Sequence, residues 1–484
     1  MSNILYLSSE AFPLIKTGGL ADVAGSLPAA IKKAGESVRL VLPAYPAVKK
    51  HSNKMKIVAT HSYYNLPVSI LESRLPGSTV KTWLIDCPAV FDRPGGPYAD
   101  QDGIAWDDNA LRFTVFCHAA VDIALNRLDL GWSPDVVHCN DWQSGLVPAL
   151  LSLHERRPAC IFTIHNLAYQ GNFSAQTYTD LHLPAQLWHL EGVEFYGQFS
   201  FMKSGLAYAD KINAVSPNYA REILQKEFGY GLDGLLRKRH EDLTGIVNGI
   251  DEKHWNPGTD ELIVQKYNSR SLDKKNINKI ALQKSLNLTV DKDIAMIGMV
   301  GRLVEQKGLD IIIQALDELM QLPLQLVILG TGDTHYEIQL SEWASKHADK
   351  LSVTIGYNEQ HAHQIEASSD IYLMPSTFEP CGLNQLYSLR YGSLPLVTDV
   401  GGLADTVTDT NATTIANKTA NGFVLEEPTA AGLITSVKRS LELYQDKTIW
   451  KNCQKTAMSF DSSWTTSARR YIDLYQQALA SQST

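Results

Sequence analysis

Short apolar runs bounded by turn residues alternate, along nearly the whole chain, with longer stretches whose apolar residues recur every three or four positions. The short runs read as buried strands and the longer stretches as helices. In the first half the strand candidates are 4–7, 37–42, 81–85, 136–138, 160–164, 211–214 and 243–247. Helical patterns between them predict βαβ units and a parallel sheet. Two segments break the rhythm. Residues 92–109, with Gly95, Gly96, Pro97 and Gly103, read as a loop on the ligand side. Residues 169–196 are crowded with aromatics, among them Tyr169, Phe173, Trp188 and Tyr196.

The pattern pauses at Val247-Asn248-Gly249-Ile250-Asp251, and Trp255-Asn256-Pro257-Gly258 and a polar stretch follow. A domain boundary belongs there. Beyond it the spacing predicts a helix over 279–286 and strands over 294–300, 324–329, 351–355, 371–374 and 395–400. The expected division is 1–245, 246–460 and a tail, 461–484. An amphipathic helix in that tail, over 465–480 (Ala468, Tyr471, Ile472, Tyr475, Leu479), is expected to pack back on the first domain. Both halves are α/β and Rossmann-like.

A length of 484 residues exceeds what one hydrophobic core serves, which agrees with two domains. The formal charge of −9 disfavours nucleic-acid and anionic-membrane partners. None of the six cysteines has C-x-x-C spacing, which predicts a reduced, cytoplasmic protein without a zinc site. Neither a signal peptide nor an apolar run of about 20 residues is evident, so no membrane span is expected.

Candidate chemistry clusters where strands end. Gly18-Gly19-Leu20-Ala21-Asp22 recurs in type as Gly401-Gly402-Leu403-Ala404-Asp405, each after a strand and opening a helix. Such pairs either let backbone N–H groups approach an anion or are ordinary tight turns. Lys16, beside the first pair, is a phosphate-binding cation or a solvated loop lysine. Arg302 and Lys307 follow a strand and precede a helix, where cations oppose the helix dipole; an anionic ligand would compensate that cost. Glu379 follows another strand end, where open parallel sheets bind ligands, or else it is a first-turn acid. Asp141-Trp142 pairs an acid with an aromatic, as sugar sites do. His165 and Asn166 end a further strand, and Tyr357 could stack on a base. Gly330-Thr331-Gly332 lacks the third glycine of a dinucleotide fingerprint, and the serine-hydrolase, zincin and P-loop motifs are missing.

Several of these stretches, taken together and in order, resemble the bacterial glycogen synthases and plant starch synthases. They are Lys16-Thr17-Gly18-Gly19-Leu20-Ala21-Asp22-Val23, His138-Cys139-Asn140-Asp141-Trp142, Thr163-Ile164-His165-Asn166, Val247 to Asp251, Gly301-Arg302-Leu303 through Lys307-Gly308, and Glu379-Pro380-Cys381-Gly382-Leu383-Asn384-Gln385. The resemblance spans essentially the whole chain. It implies the GT-B fold, two Rossmann-like parallel-sheet domains facing an interdomain cleft, with the first on the acceptor-glucan side and the second on the nucleotide-sugar side. It implies transfer of glucose from ADP-glucose to the non-reducing 4-hydroxyl of an α-1,4-glucan, with retention and with neither cofactor nor metal.

By the family's pattern Glu379, Lys307, Arg302 and His165 are catalytic. Lys16, Gly18, Gly19, Asn248, Tyr357, Cys381, Gly382, Leu383 and Asn384 join Arg302 and Lys307 in holding the donor. Asp141, Trp142 and Tyr98 serve the acceptor. One position departs from many retaining GT-B enzymes: Tyr387 stands where they carry a second Glu. That weighs against a double displacement and for front-face departure and attack. UDP-glucose or another acceptor, and a catalytically silent glucan-binding protein, remain as alternatives; oligomeric state is open.

Overall fold

The computed structural model describes residues 1–52 and 54–482. Contacts divide the chain into two units, Met1–Gly249 with Trp464–Thr484, and Ile250–Ser463. The strands of the first are β1 (Asn3–Leu7), β2 (Ser37–Pro43), β3 (Lys56–Tyr63), β4 (Leu66–Arg74), β5 (Lys81–Asp86), β6 (Val136–Asn140), β7 (Ala159–Ile164), β8 (Asn172–Ser174), β9 (Glu194–Phe195), β10 (Gln198–Ser200), β11 (Lys211–Ala214) and β12 (Leu243–Gly245). Nine of them form one sheet, ordered β12-β11-β7-β6-β1-β2-β5-β4-β3. Pairing is parallel from β12 to β5. Every residue of β6 and β7 is buried, so both strands are mostly apolar, with His138, Asn140 and Thr163 as buried polar exceptions.

The antiparallel edge, β3 and β4, is absent from the sequence reading. Its turn is Tyr64-Asn65, both at positive φ (54° and 58°), so the usual glycine signal for a two-residue hairpin is missing. β3 is also largely exposed and lacks an apolar face. The aromatic stretch 169–196 folds around a three-stranded antiparallel sheet, β8-β10-β9, whose rings pack on Trp142 and Phe201.

The C-terminal helix, Trp464–Ser481, lies in this unit, against the helix Gly19–Lys33 and the strands β6, β7 and β11. Among the polar bonds that pin it, two are buried side-chain pairs. Buried His138 Nδ1 meets Tyr475 Oη at 2.8 Å, and Asn213 Nδ2 donates to Tyr471 Oη at 3.0 Å.

The second unit has β13 (Ala295–Val300), β14 (Leu324–Gly330), β15 (Leu351–Ile355), β16 (Ile371–Met374), β17 (Leu394–Val397) and β18 (Phe423–Val424). All pair in parallel, in the order β15-β14-β13-β16-β17-β18. This is the doubly wound order of a dinucleotide-binding fold, with its switch point between β13 and β16. β17 stops at Val397 rather than running to 400. Its partner β16 ends at Met374, and the next residue, Pro375, has no N–H to carry the ladder on. The helix expected over 279–286 begins earlier, as Lys275–Ser285. No helix among the described residues is long and apolar enough to cross a membrane.

Candidate functional site

In the second unit, the loops leaving β13 and β16 meet at the switch point, where parallel sheets bind their ligands. Arg302 and Lys307 come from the first loop and Glu379 from the second. Lys307 Nζ lies 2.5 Å from Glu379 Oε2, and Ser376 Oγ donates to the same oxygen at 3.1 Å. Glu379 is only 7% exposed, so this is a largely desolvated ion pair. Gln306 ties the loops together. It accepts from Arg302 Nη2 (3.2 Å) and, through its carbonyl, from the Thr377 N–H (2.9 Å), and its amide donates to the Phe378 carbonyl (3.1 Å).

Glycine makes this approach feasible. Gly308 has φ +73°, and a Cβ there would lie 2.1 Å from the Pro375 oxygen. The second glycine pair does similar work: a Cβ on Gly401 would come within 1.9 Å of the Glu379 carbonyl oxygen, and the Gly402 N–H donates to that oxygen at 3.1 Å. The structure shows this pair packed closely against the protein's own loop, at Glu379 and Cys381. Cys381 and Gly382 (φ +71°) continue that loop, and Leu383 is the N-cap of the helix Asn384–Tyr391. The Asn384 amide donates to the Val300 carbonyl at 2.6 Å. Tyr357 follows Gly356 at the end of β15 and is exposed. Tyr387 stacks on Trp255 at 3.9 Å and is a packing residue.

In the first unit the order reverses between β1 and β6, and the same logic applies there. After β1 come Glu10, Lys16 and Gly18; after β6 come Asp141 and Trp142; after β7 comes His165. Gly18 is the N-cap of the helix Gly19–Lys33, and a Cβ added to it would meet nothing within 4 Å. Lys16 pairs with Asp22 at 2.8 Å. The loop already receives one anion, the carboxylate of Glu10, which accepts from the N–H groups of Thr17 and Gly18 (2.5 and 3.3 Å) and from Tyr98 Oη (2.5 Å). Glu10 is buried and was not singled out from sequence. The signal was available: it is an acid just beyond a strand end, the rule that singled out Glu379.

His165 Nε2 donates to Asn140 Oδ1 at 2.9 Å, because the Asn140 amide is itself donated to the Leu7 carbonyl. Burial pushes the imidazole down to about 3, so it is neutral and its Nδ1 is an acceptor. Asp141 Oδ1 accepts from the N–H groups of His165 (2.8 Å) and Asn166 (3.3 Å). Trp142 is held among Phe113, Phe173 and Phe201, with centroids 4.9 to 6.1 Å away. Asn248 is buried, and its Oδ1 has no partner among the described residues.

Residues 3–238 match the family described as starch synthase catalytic domain, and residues 283–456 match glycosyl transferases group 1. With the two doubly wound units, these matches define the class: the protein is a glycosyltransferase of the GT-B fold. The glycogen synthase of Cellvibrio japonicus is 53% identical, over 98% of this chain and 99% of its own. Glycogen synthase 1 of Methylococcus capsulatus is 52% identical, over 99% and 97%. The catalytic domain of starch synthase IV from Arabidopsis thaliana, bound to ADP and acarbose, superposes with a TM-score of 0.90 at 30% identity, covering 99% of both chains. Sucrose-phosphate synthase from Thermosynechococcus elongatus, at TM-score 0.61 and 17% identity, shares the fold. The chain belongs to the family of glycogen and starch synthases.

Proposed function

We propose that the protein transfers glucose from ADP-glucose to the non-reducing 4-hydroxyl of an α-1,4-glucan with retention of configuration. The carrying observation is the Lys307–Glu379 pair at the β13/β16 switch point, its carboxylate buried, with Arg302 on the same loop as Lys307. Departure of the diphosphate builds negative charge on the leaving oxygen and positive charge at the sugar ring. Arg302 and Lys307 supply cations for the first, with Lys16 as a further one; the Glu379 carboxylate and its neighbouring carbonyls supply the counter-charge for the second. Lys307 and Glu379 neutralise each other until a diphosphate competes for the lysine. Neutral His165 and the unpartnered Asn248 Oδ1 are suited to sugar hydroxyls, and exposed Tyr357 to stacking on the base. Asp141, Trp142 and Tyr98 are assigned to the acceptor. Cys381 to Asn384 present the backbone N–H groups of a helix start to the donor.

The front-face route, in which the leaving phosphate takes the acceptor proton, fits Tyr387, whose ring offers no carboxylate and is committed to Trp255. The ADP held by the Arabidopsis relative favours adenosine in the donor. Six buried free cysteines favour a reducing, cytoplasmic setting.

The test is nucleoside diphosphate release with glycogen and either ADP-glucose or UDP-glucose, without added metal. ADP-glucose is expected to be the better donor, and Glu379→Ala to slow release by about 10²–10³-fold, as loss of one charge-stabilising group does. Preference for UDP-glucose would overturn the donor assignment. No release with either would favour a silent glucan-binding protein.

A further inference from the structure

The family's reaction makes no use of one cluster in the second unit. His254, Glu359 and His363 each bring a possible ligand atom within 4.8 Å of the others. Local structure assembles them. The Asp251 carbonyl accepts from the N–H groups of His254 (3.1 Å) and Trp255 (2.8 Å), forming a turn. Buried Trp255 is then sandwiched between the rings of Tyr387 and His363, 3.9 Å from each and within 12° of parallel. Glu359 and His363 lie on the helix Glu359–Ser368, four residues apart and hence on one face.

The two nitrogens of His363 differ. Nδ1 donates at 2.8 Å to Asp260 Oδ2, which also accepts from Tyr391 Oη at 2.6 Å. Nε2 belongs to a side chain with 0% exposure and has no partner among the described residues. An unsatisfied buried nitrogen is unfavourable. A carboxylate behind the opposite nitrogen is how proteins orient a ligating imidazole. His254 Nε2 is 2.8 Å from Glu359 Oε1, so a proton now bridges a pair that a metal would separate.

We propose that His254, Glu359 and His363 bind one first-row transition-metal dication, zinc by chemical preference, with Asp260 orienting His363. Two imidazoles and one carboxylate suit zinc, whereas magnesium and calcium want oxygen-rich sets. Metal–ligand bonds of about 2.0–2.2 Å in a tetrahedron require the His254–Glu359 pair, now at 2.8 Å, to open slightly and the wider separations of the cluster, up to 4.8 Å, to close. His254 and Glu359 are half-exposed, whereas His363 is buried and fixed by its stack on Trp255. A water completes the tetrahedron. The bound ion would clip the segment that begins the second unit to the helix following Tyr357-Asn358, a role separate from glucosyl transfer.

The test uses the full chain, stripped with a chelator and titrated with Co²⁺ and then Zn²⁺. The expected result is one Co²⁺ per chain with the strong visible bands of a tetrahedral site, displaced by Zn²⁺, and a rise in Tm with Zn²⁺. Asp260→Asn should weaken Zn²⁺ binding by about 10–100-fold, the usual effect of losing a partner behind a ligating histidine. His254→Ala and Glu359→Gln remove half-exposed groups and should weaken it at least as much, so the test does not depend on a buried substitution. A pale octahedral cobalt spectrum, or Zn²⁺ affinity unchanged in both of these variants, would overturn the assignment.

Discussion

Asp141 has φ +54° directly beyond β6 and is 8% exposed. Burial pushes its carboxyl up to about 7, the N–H groups of His165 and Asn166 pull it back, and Glu10 adds to the rise. A folded-state value above the ordinary 3.8 means that the native protein binds a proton the unfolded chain has released. This side chain therefore costs nothing below pH 4 and progressively destabilises the fold as pH rises from about 4 to 7, by at most about 4 kcal/mol. Asp141→Asn keeps an acceptor for the two N–H groups. Its Tm relative to wild type should rise from pH 4 to pH 8; a difference flat across that range would contradict the assigned burial cost. At residue scale the sequence showed which groups gather at strand ends, because glycines, cations and acids there are conspicuous. It did not show Glu10 as the acceptor for Thr17 and Gly18, which depends on how one loop folds back on itself, or Gln306 as the tie between two loops, which depends on contacts between them.

The C-terminal helix illustrates the scale of elements. Its amphipathic stripe was visible in sequence, but the partners of its tyrosines were not. Tyr475 meets His138, whose Nε2 is already engaged with Thr163 Oγ1 at 2.8 Å. Burial holds the His138 imidazole down to about 3, so it stays neutral and needs both bonds satisfied. Tyr475→Phe should destabilise the protein by about 1–3 kcal/mol, the cost of a buried polar group left unpaired, read as a lower midpoint in chemical denaturation. An unchanged midpoint would show that the bond is not felt. The parallel strands were legible because burial on both faces writes them as apolar runs; β3 and β4 were not, because a half-solvated edge with a glycine-free turn carries neither signal.

For the whole molecule, the two-unit organisation followed from length and from the pause near Val247. The structure assigns the last helix to the first unit, where Tyr471, Leu474, Tyr475 and Ala478 are buried. Removing residues 464–484 should therefore loosen residues 1–249 and spare 250–463. Hydrogen–deuterium exchange by peptide would show this, and equal loss in both regions would refute it. The chain passes between units twice, at Gly249–Ile250 and Ser463–Trp464. The passages are adjacent: the Ile250 N–H donates to the Ser462 carbonyl at 2.8 Å, and Ser467 Oγ to the Val247 carbonyl at 2.7 Å.

That double passage bears on how the protein is made. A ribosome delivers residues 1–249 before 250–463, yet the helix that packs on their sheet emerges only after the second unit. The unit begun first is the last completed, with the intervening unit free to fold while its elder waits. Until residues 464–481 are available, the apolar face destined for Tyr471 and Leu474 is a surface for chaperones to shield.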